Sequence, residues 1–265
     1  MDAILPRRPL FISATAQDLD WVSQVVEQHE VGVEITDFAQ PTEPGSSRER
    51  IFELWHLWRE AATAKVPMAL HAPFLDLVPG SLDTDMVELC RKQHEEALTL
   101  AGALGVGRIV FHSGFNPLIR GPQYFEPWLN RTVRYFSELI AQNTEFTFLL
   151  ENMWEPTPDP LIKVVDRINS PNLRICFDVG HALIWGKIPP EEWLPHIGLR
   201  LGHVHLNDND GTWDQERPLG AGVIPHEKIM GQLNTLGFFG PIGLEMRGQV
   251  AIQASLDWLK RRGLF

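Results

Sequence analysis

Residues 203–222, HVHLNDNDGTWDQERPLGAG, read as the end of an apolar strand followed by an acidic, glycine-containing loop. His203 and His205 stand at alternate positions of the strand, so their side chains point to the same face. Four carboxylates follow between residues 208 and 216. A strand that ends in a potential metal ligand and then passes into a polar loop is a pattern that recurs along the chain.

Eight short aliphatic or β-branched segments alternate with longer stretches that can form amphipathic helices. This alternation predicts a parallel sheet, and eight repeats in 265 residues are typical of a (β/α)8 TIM barrel. The whole chain, residues 1–265, is interpreted as one such domain, with residues 1–8 as a flexible N-terminal extension. The predicted strands are LFIS from residue 10, VGVEI from 31, VPMALH from 66, RIVFH from 108, FTFLLE from 146, LRICFD from 173, LGHVHL from 201 and PIGLE from 241.

A doubly wound open sheet is the main alternative fold. However, no GxGxxG turn follows the first strand, as a dinucleotide-binding sheet would require. Seven of the eight strands also end in a residue that can bind a metal or transfer a proton. A barrel gathers such residues at its C-terminal mouth, whereas an open sheet spreads them along an edge. These residues are Glu34, His71, His112, Glu151, Asp178, His205 and Glu245.

Three carboxylates and one imidazole among these strand ends suit a single divalent cation. Carboxylates that point into one mouth repel each other strongly unless a cation lies among them. The mixed donor set favours Mn²⁺, Mg²⁺, Co²⁺ or Zn²⁺ over a metal that prefers thiolates. His71 and His112 can complete a second site or orient a substrate, and His181 can reach the same cavity. The predicted ligands are Glu151, Asp178, His205 and Glu245.

Composition and charge exclude several classes of protein. Hydrophobic residues at 44% and charged residues at 22% are ordinary values for a globular protein. The net charge is −11, with lysines and arginines scattered along the chain, so a nucleic acid is not an expected partner. Cys90 and Cys176 lack metal-type or redox-type spacing and are expected to be buried thiols in a reducing compartment. With neither a secretory signal nor a membrane-spanning segment, we expect a cytoplasmic protein without a membrane partner.

Seven motifs, taken in order, resemble those of the xylose isomerase-like TIM-barrel superfamily. This group contains sugar isomerases, sugar and sugar-phosphate epimerases, and the apurinic endonuclease branch. The resemblance covers nearly the whole chain, and the ordered set is specific although each motif alone is weak. The motifs are LHAPF (70–74), IVFHSG (109–114), LLEN (149–152), FDVGHA (177–182), HVHLND (203–208), DQERPLGAG (214–222) and GLEM (243–246).

The resemblance implies an aldose-ketose isomerase or ketose epimerase that transfers a proton through an enediolate. In such enzymes the four residues that match the predicted ligands hold one divalent metal. The two glutamates, Glu151 and Glu245, also act as acid and base on opposite faces of the substrate. The small-molecule substrate is expected to be a sugar or a sugar phosphate. The predicted substrate-binding residues are Glu34, Trp154, His181 and Arg217.

The apurinic endonuclease branch implies an alternative, a multi-zinc phosphodiesterase. That branch uses three zinc ions, and this chain has eight of the nine ligand types. The departure is Glu216, where the branch carries histidine in an Asp-x-His loop. The substitution and the acidic net charge both disfavour a DNA substrate. Residues available for additional zinc are His71, His112, His181, Asp214 and Glu216. A non-catalytic sugar-binding or metal-binding barrel is a third hypothesis.

Aromatic and basic residues near these loops suggest a closed pocket for a small molecule. Arg247 and Lys187 are candidates to bind a substrate phosphate or carboxylate, so the sequence leaves free sugar and sugar phosphate open. Barrels of this kind often dimerise, which makes a homodimer a further expectation. The aromatic residues expected around the pocket are Phe74, Trp154, Trp185 and Trp213.

Overall fold

A closed barrel of eight parallel strands organises the computed structural model, which describes residues 8–39, 47–61 and 66–265. The strands pair in chain order, and the first pairs with the eighth. The predicted (β/α)8 TIM barrel is therefore confirmed. The strands are β1 (Leu10–Ala14), β2 (Gly32–Ile35), β3 (Met68–His71), β4 (Arg108–His112), β5 (Thr147–Glu151), β6 (Leu173–Asp178), β7 (Leu201–Leu206) and β8 (Ile242–Leu244).

Helices follow the strands on the outside of the barrel. Two helices, rather than the single one predicted, connect β6 to β7, because Gly186 ends the first and Pro190 begins the second. Across the described ranges, no helix is both long and apolar enough to cross a membrane. The helices are α1 (Leu19–His29), α2 (Ser47–Ala61), α3 (Thr84–Leu104), α4 (Pro122–Gln142), α5 (Asp159–Ile168), α6 (Val179–Trp185), α7 (Pro190–Ile197), α8 (His226–Thr235) and α9 (Gln249–Arg261).

The predicted N-terminal extension, residues 1–8, falls mostly outside the described residues, which begin at Arg8. Arg8 itself is held to the barrel, because its Nε donates a hydrogen bond to the carbonyl of Phe238 at 2.9 Å. The described chain thus joins the barrel at least two residues before β1.

Apolar side chains pack on both sides of the sheet. Outward-facing strand residues such as Val204 and Leu206 join the large core beneath the helices. Inside the barrel, Val110, Leu149 and Cys176 form a separate buried cluster. Both cysteines are free and buried, as predicted. The barrel interior is therefore filled with side chains, and polar residues concentrate at the mouth.

Strand register brings the polar strand ends side by side. His112 pairs with Glu151 across β4 and β5, and Asp178 pairs with His205 across β6 and β7. Opposite His205 on β8 stands Gly243, where a Cβ atom would lie 3.0 Å from the His205 ring. Glycine at this position therefore leaves room for the imidazole at the mouth.

Candidate metal centre

Four strand-end residues converge around the Nδ1 atom of His205. This atom lies 2.9 Å from Oε1 of Glu151 and 3.0 Å from Oε2 of Glu245. One potential donor atom from each of Glu151, Asp178, His205 and Glu245 lies within 4.8 Å of the others. Three of the residues are fully buried, while the Glu245 side chain is 17% exposed. The structure thus brings all four predicted ligands together at the mouth of the barrel.

The donor set fits a divalent cation. Oε2 of Glu151 and Oε2 of Glu245 are buried, and among the residues that the structure describes only imidazole nitrogens approach them, without the alignment of a hydrogen bond. A buried carboxylate oxygen without a donor is costly unless a positive charge compensates it. Three carboxylates and one imidazole are suitable ligands for Zn²⁺ and for harder divalent ions.

Electrostatic interactions in this cluster shift its pKa values in opposite directions. Burial lowers the pKa of His205, but the charges of nearby groups, including Glu245 and Glu34, raise it well above its ordinary value. Burial raises the pKa of Glu151, yet the charges of His205 and His112 hold it well below its usual range. For Asp178, burial together with Glu245 and Glu151 raises the pKa well above normal. The carboxylates therefore compete for positive charge, which a divalent ion would supply.

Glu34 supports His205 from below instead of facing the cavity. Its Oε1 lies 3.0 Å from Nε2 of His205, and its Oε2 lies 3.5 Å from Nε2 of His203. The residue is fully buried and is absent from the described lining of the cavity. A carboxylate at Nε2 orients the imidazole and leaves Nδ1 for a metal. Glu34 therefore contacts His205, one of the predicted metal ligands, while its contact with substrate stays a prediction.

His71 and His112 form a second group around Glu151. Their Nε2 atoms lie 3.3 and 3.2 Å from Oε2 of Glu151 and 3.3 Å from each other. The Nδ1 of His71 is within 2.9 Å of the carbonyl of Ala72, which fixes the ring. These three residues are a candidate site for an additional ion.

The start of α6 places His181 over the site. Asp178 caps the helix by accepting a hydrogen bond from the backbone amide of His181. The His181 ring contacts the carbonyl of Asn152 through Nδ1 at 2.8 Å and Oδ2 of Asp214 through Nε2 at 3.2 Å. Asn207 donates to Oδ2 of Asp178 at 2.9 Å. The sequence prediction omitted both asparagines, although each lies in a motif that also contains a ligand.

Glu216 pairs with an arginine in the cavity lining. Its Oε2 accepts a hydrogen bond from Nε of Arg247 at 3.2 Å. Burial and the charge of Glu245 raise the pKa of Glu216 to about 7, against the opposing effect of Arg247. Among the described residues, His181, Asp214 and Glu216 do not form a group of donors within 4.8 Å of one another, and with the pairing of Glu216 to Arg247 this disfavours a third zinc site there.

A cavity of about 490 Å³ opens beside the predicted metal ligands. Its volume is suitable for a small molecule. Phe74 lines it as expected, together with His71, His112, His181, Asp214, Glu216, Glu245 and Arg247. The opposite side, which the sequence prediction missed, is formed by residues that follow β1 and β2 or end them, namely Ser13, Ala14, Thr15, Gln17, Asp18, Thr36, Asp37 and Ala39.

Besides Glu34, two more predicted substrate-binding residues lie outside the described cavity lining. Arg217 donates to Oδ2 of Asp210 at 2.8 Å in the exposed part of the loop, where it is held by a local ion pair. Trp154 is 38% exposed and is not part of the cavity lining. Trp185, Trp213 and Lys187 are also absent from this lining. Arg247, on the loop after β8, is the arginine that reaches the cavity.

Comparison with known proteins places this barrel in a family. A family model described as xylose isomerase-like TIM barrel matches residues 30–262. The chain belongs to this family. The uncharacterized protein MJ1311 of Methanocaldococcus jannaschii is 33% identical over 191 residues, which cover 68% of this chain. The match spans 64% of that relative, or just under two thirds of its length.

Solved structures give the same fold over almost the full chain. A crystal structure of a D-tagatose 3-epimerase-like protein has a TM-score of 0.76 at 28% identity and covers 96% of each chain. The TTHB071 protein from Thermus thermophilus, soaked with ZnCl2, has a TM-score of 0.73 at 26% identity and covers 95% of this chain and 96% of that chain. The resemblance inferred from the seven motifs is confirmed.

Proposed function

We propose that the protein is a divalent-metal-dependent isomerase or epimerase of a small sugar-like hydroxycarbonyl compound. One observation carries the proposal: the donor atoms of Glu151, Asp178, His205 and Glu245 lie within 4.8 Å of one another beside a cavity large enough for a small molecule, and one oxygen each of Glu151 and Glu245 lacks an aligned hydrogen bond from the described residues. The similarity to a D-tagatose 3-epimerase-like protein supports an epimerase or isomerase. The zinc-soaked relative supports a metal-binding site.

Glu151, Asp178, His205 and Glu245 would hold the metal. A bound divalent ion polarises a substrate carbonyl and a neighbouring hydroxyl, which lowers the free energy of an enediolate. Glu34 keeps the His205 ring in the orientation that directs Nδ1 to the other ligands. Asn207 and the start of α6 hold Asp178 in place.

Glu245 and Glu151 are the proposed acid-base pair. Glu245 lines the cavity, so its carboxylate can take a proton from a carbon of the substrate and return it. Glu151 is fully buried and contacts His71 and His112, which also line the cavity. Proton transfer to either face of a planar intermediate would allow isomerisation or epimerisation.

A multi-zinc phosphodiesterase is the second candidate function. The group of His71, His112 and Glu151 favours it, because three close donors can hold another ion. The pairing of Glu216 with Arg247 disfavours it, since the third metal would lose a ligand. The acidic net charge of −11 also opposes a polyanionic substrate.

The direct test is exchange of solvent deuterium into a panel of ketoses and ketose phosphates, followed by nuclear magnetic resonance. With Mn²⁺, Mg²⁺ or Co²⁺ supplied, we expect incorporation at a carbon next to the carbonyl of at least one compound. Glu227→Gln, which changes an exposed ion pair on α8, is a matched control and should exchange normally. Absence of exchange with every compound and metal would contradict the proposed function.

A further inference from the structure

Negative charge dominates the cavity. Five carboxylates line it, against three imidazoles (His71, His112 and His181) and a single guanidinium among the described lining residues, that of Arg247. A divalent ion would not reverse this balance, because its two charges would be matched by the three carboxylates of its own ligand set. The carboxylates of the lining are Asp18, Asp37, Asp214, Glu216 and Glu245.

Arg247 is already engaged by one of these carboxylates. Its Nε donates to Oε2 of Glu216 at 3.2 Å, although the Arg247 side chain is 82% exposed. A phosphate bound to the remaining N–H groups of Arg247 would lie beside the carboxylate of Glu216, in a cavity that Asp214 and Glu245 also line. Repulsion between like charges in a partly desolvated cavity opposes such binding.

The backbone holds Glu216 in this position. Glu216 has a φ of 47°, in the left-handed region that a residue other than glycine rarely adopts. The adjacent Arg217 pairs with Asp208 through two backbone hydrogen bonds of 2.9 and 2.7 Å. The carboxylate of Asp208 in turn accepts from the amides of Gly220 and Ile224. The loop therefore presents Glu216 to Arg247 from a fixed backbone.

The opposite side of the cavity offers a hydroxyl group in place of a positive charge. Ser13 is 8% exposed and lines the cavity, and its Oγ has no hydrogen-bond partner within the described part of the chain. A buried hydroxyl without a partner is unfavourable, so a ligand hydroxyl that pairs with it would gain free energy. The neighbouring carboxylates of Asp18 and Asp37 already accept hydrogen bonds from the chain itself.

From these contacts, and resting on the proposed function, we infer that the substrate is an uncharged polyhydroxy carbonyl compound. Ser13 binds a hydroxyl group of this compound. Glu216 excludes phosphorylated analogues because its carboxylate pairs with Arg247 and repels a phosphate there. The inferred substrate is therefore a free sugar and not a sugar phosphate, two classes that the sequence alone left open.

Phosphate binding to Glu216→Gln tests this inference without depending on turnover. Inorganic phosphate is titrated into the protein as purified, at about pH 8, where ordinary carboxyl groups are ionised, and binding is followed by calorimetry. We expect binding to the wild type to be too weak to detect, and detectable binding, at least about tenfold tighter, in Glu216→Gln because the negative charge beside Arg247 is removed. Glu227→Gln, which disrupts an exposed ion pair with Arg262, should behave as the wild type.

Each result of the titration decides the inference. Phosphate binding to the wild type, or equal phosphate binding to the wild type and Glu216→Gln, would overturn it, as would the absence of binding to both. Deuterium exchange into D-fructose and D-fructose 6-phosphate gives a second readout, in which the preference for the free ketose should fall in Glu216→Gln. If no compound exchanges, the proposed function fails, while the phosphate titration still reports on the charge selectivity.

Discussion

Carboxylates on the two sides of the cavity have opposite environments. On the side of β1 and β2, all four carboxylate oxygens of Asp18 and Asp37 accept hydrogen bonds from the chain, including those from Trp21 and Trp58. On the side of β5 and β8, one oxygen of Glu151 and one of Glu245 are buried with only imidazole nitrogens nearby and no aligned hydrogen bond from the described residues. The same functional group is structural where the chain supplies donors and is available to a ligand where it does not.

The largest loss of deuterium exchange is expected at Glu245, where one carboxylate oxygen lacks an aligned hydrogen bond from the described residues. Glu245→Gln should reduce deuterium exchange by about 10²–10⁴-fold, the range typical of a general base. Because Gln keeps the size of the side chain, we expect a thermal midpoint within a few degrees of the wild type. Exchange and thermal unfolding are measured on the same preparation. Normal exchange in this variant would rule out Glu245 as the base.

Metal removal should have the next largest effect. A chelator should abolish exchange and lower the free energy of unfolding, by about 4 kcal/mol if the metal had been present at about 1,000 times its Kd. Calorimetric unfolding before and after chelation measures this change, and added Mn²⁺ should restore both properties. In Glu151→Gln the chelator should have much less effect on stability. An equal effect in both proteins would place the stabilising ion elsewhere.

Asp208 is a test of the comparison between the two sides of the cavity. It directly follows β7, which carries the predicted ligand His205, and yet its carboxylate accepts hydrogen bonds from the chain. Its carboxylate accepts from the amides of Asn209, Gly220 and Ile224. Asp208→Ala should therefore lower the free energy of unfolding by about 1–3 kcal/mol, as measured by urea unfolding. Limited proteolysis should also show a more accessible loop.

The stability that Asp208 provides should depend on pH. Burial raises its pKa, but the contact with His226 and the amide hydrogen bonds outweigh burial and hold the pKa below its ordinary value. A lowered carboxyl pKa stabilises the fold above the pKa of the unfolded chain, about 3.9, and this contribution is lost as the pH falls. The difference between wild type and Asp208→Ala should thus shrink below about pH 4. A difference that grows in acid would contradict this account.

Asp37 should show the smallest effect. Asp37→Ala removes the acceptor of Trp58 Nε1, a bond of 2.7 Å, and should lower the free energy of unfolding by about 1–2 kcal/mol. Deuterium exchange should fall far less than in Glu245→Gln. Asp166→Ala, which breaks an exposed ion pair with Arg200, is the control and should cost less than about 1 kcal/mol. Loss of exchange in Asp37→Ala comparable to that in Glu245→Gln would remove the distinction between the two sides.

Local sequence patterns were sufficient to predict the barrel and the residues that meet at its mouth. Each ligand stands at or next to the end of an apolar strand, and parallel strands in a closed barrel end at one rim. The alternation of side chains in β7 likewise places His203 and His205 on one face, where the His203 ring contacts Phe11. These features depend on periodicity within single strands.

Contacts between distant strands were not predictable in the same way. Glu34 on β2 reaches His205 on β7 across the barrel interior, and no local pattern specifies that meeting. The arginine at the cavity is Arg247 instead of Arg217, because Asp210 in the same loop retains Arg217. Ser13 carries no motif, and its exposure to the cavity follows only from the closed barrel.

The central claim is that Glu151 and Glu245, whose buried oxygens lack aligned hydrogen bonds from the described residues, are cation ligands. The metal content per chain tests this claim most directly. Protein purified without chelators is analysed for bound metals alongside Glu151→Gln and Glu245→Gln. We expect one tightly held divalent ion per wild-type chain and a clear loss in both variants, with Glu227→Gln unchanged. A wild-type chain that holds no ion after loading, or that holds three tightly bound zinc ions, would contradict the single-metal isomerase or epimerase.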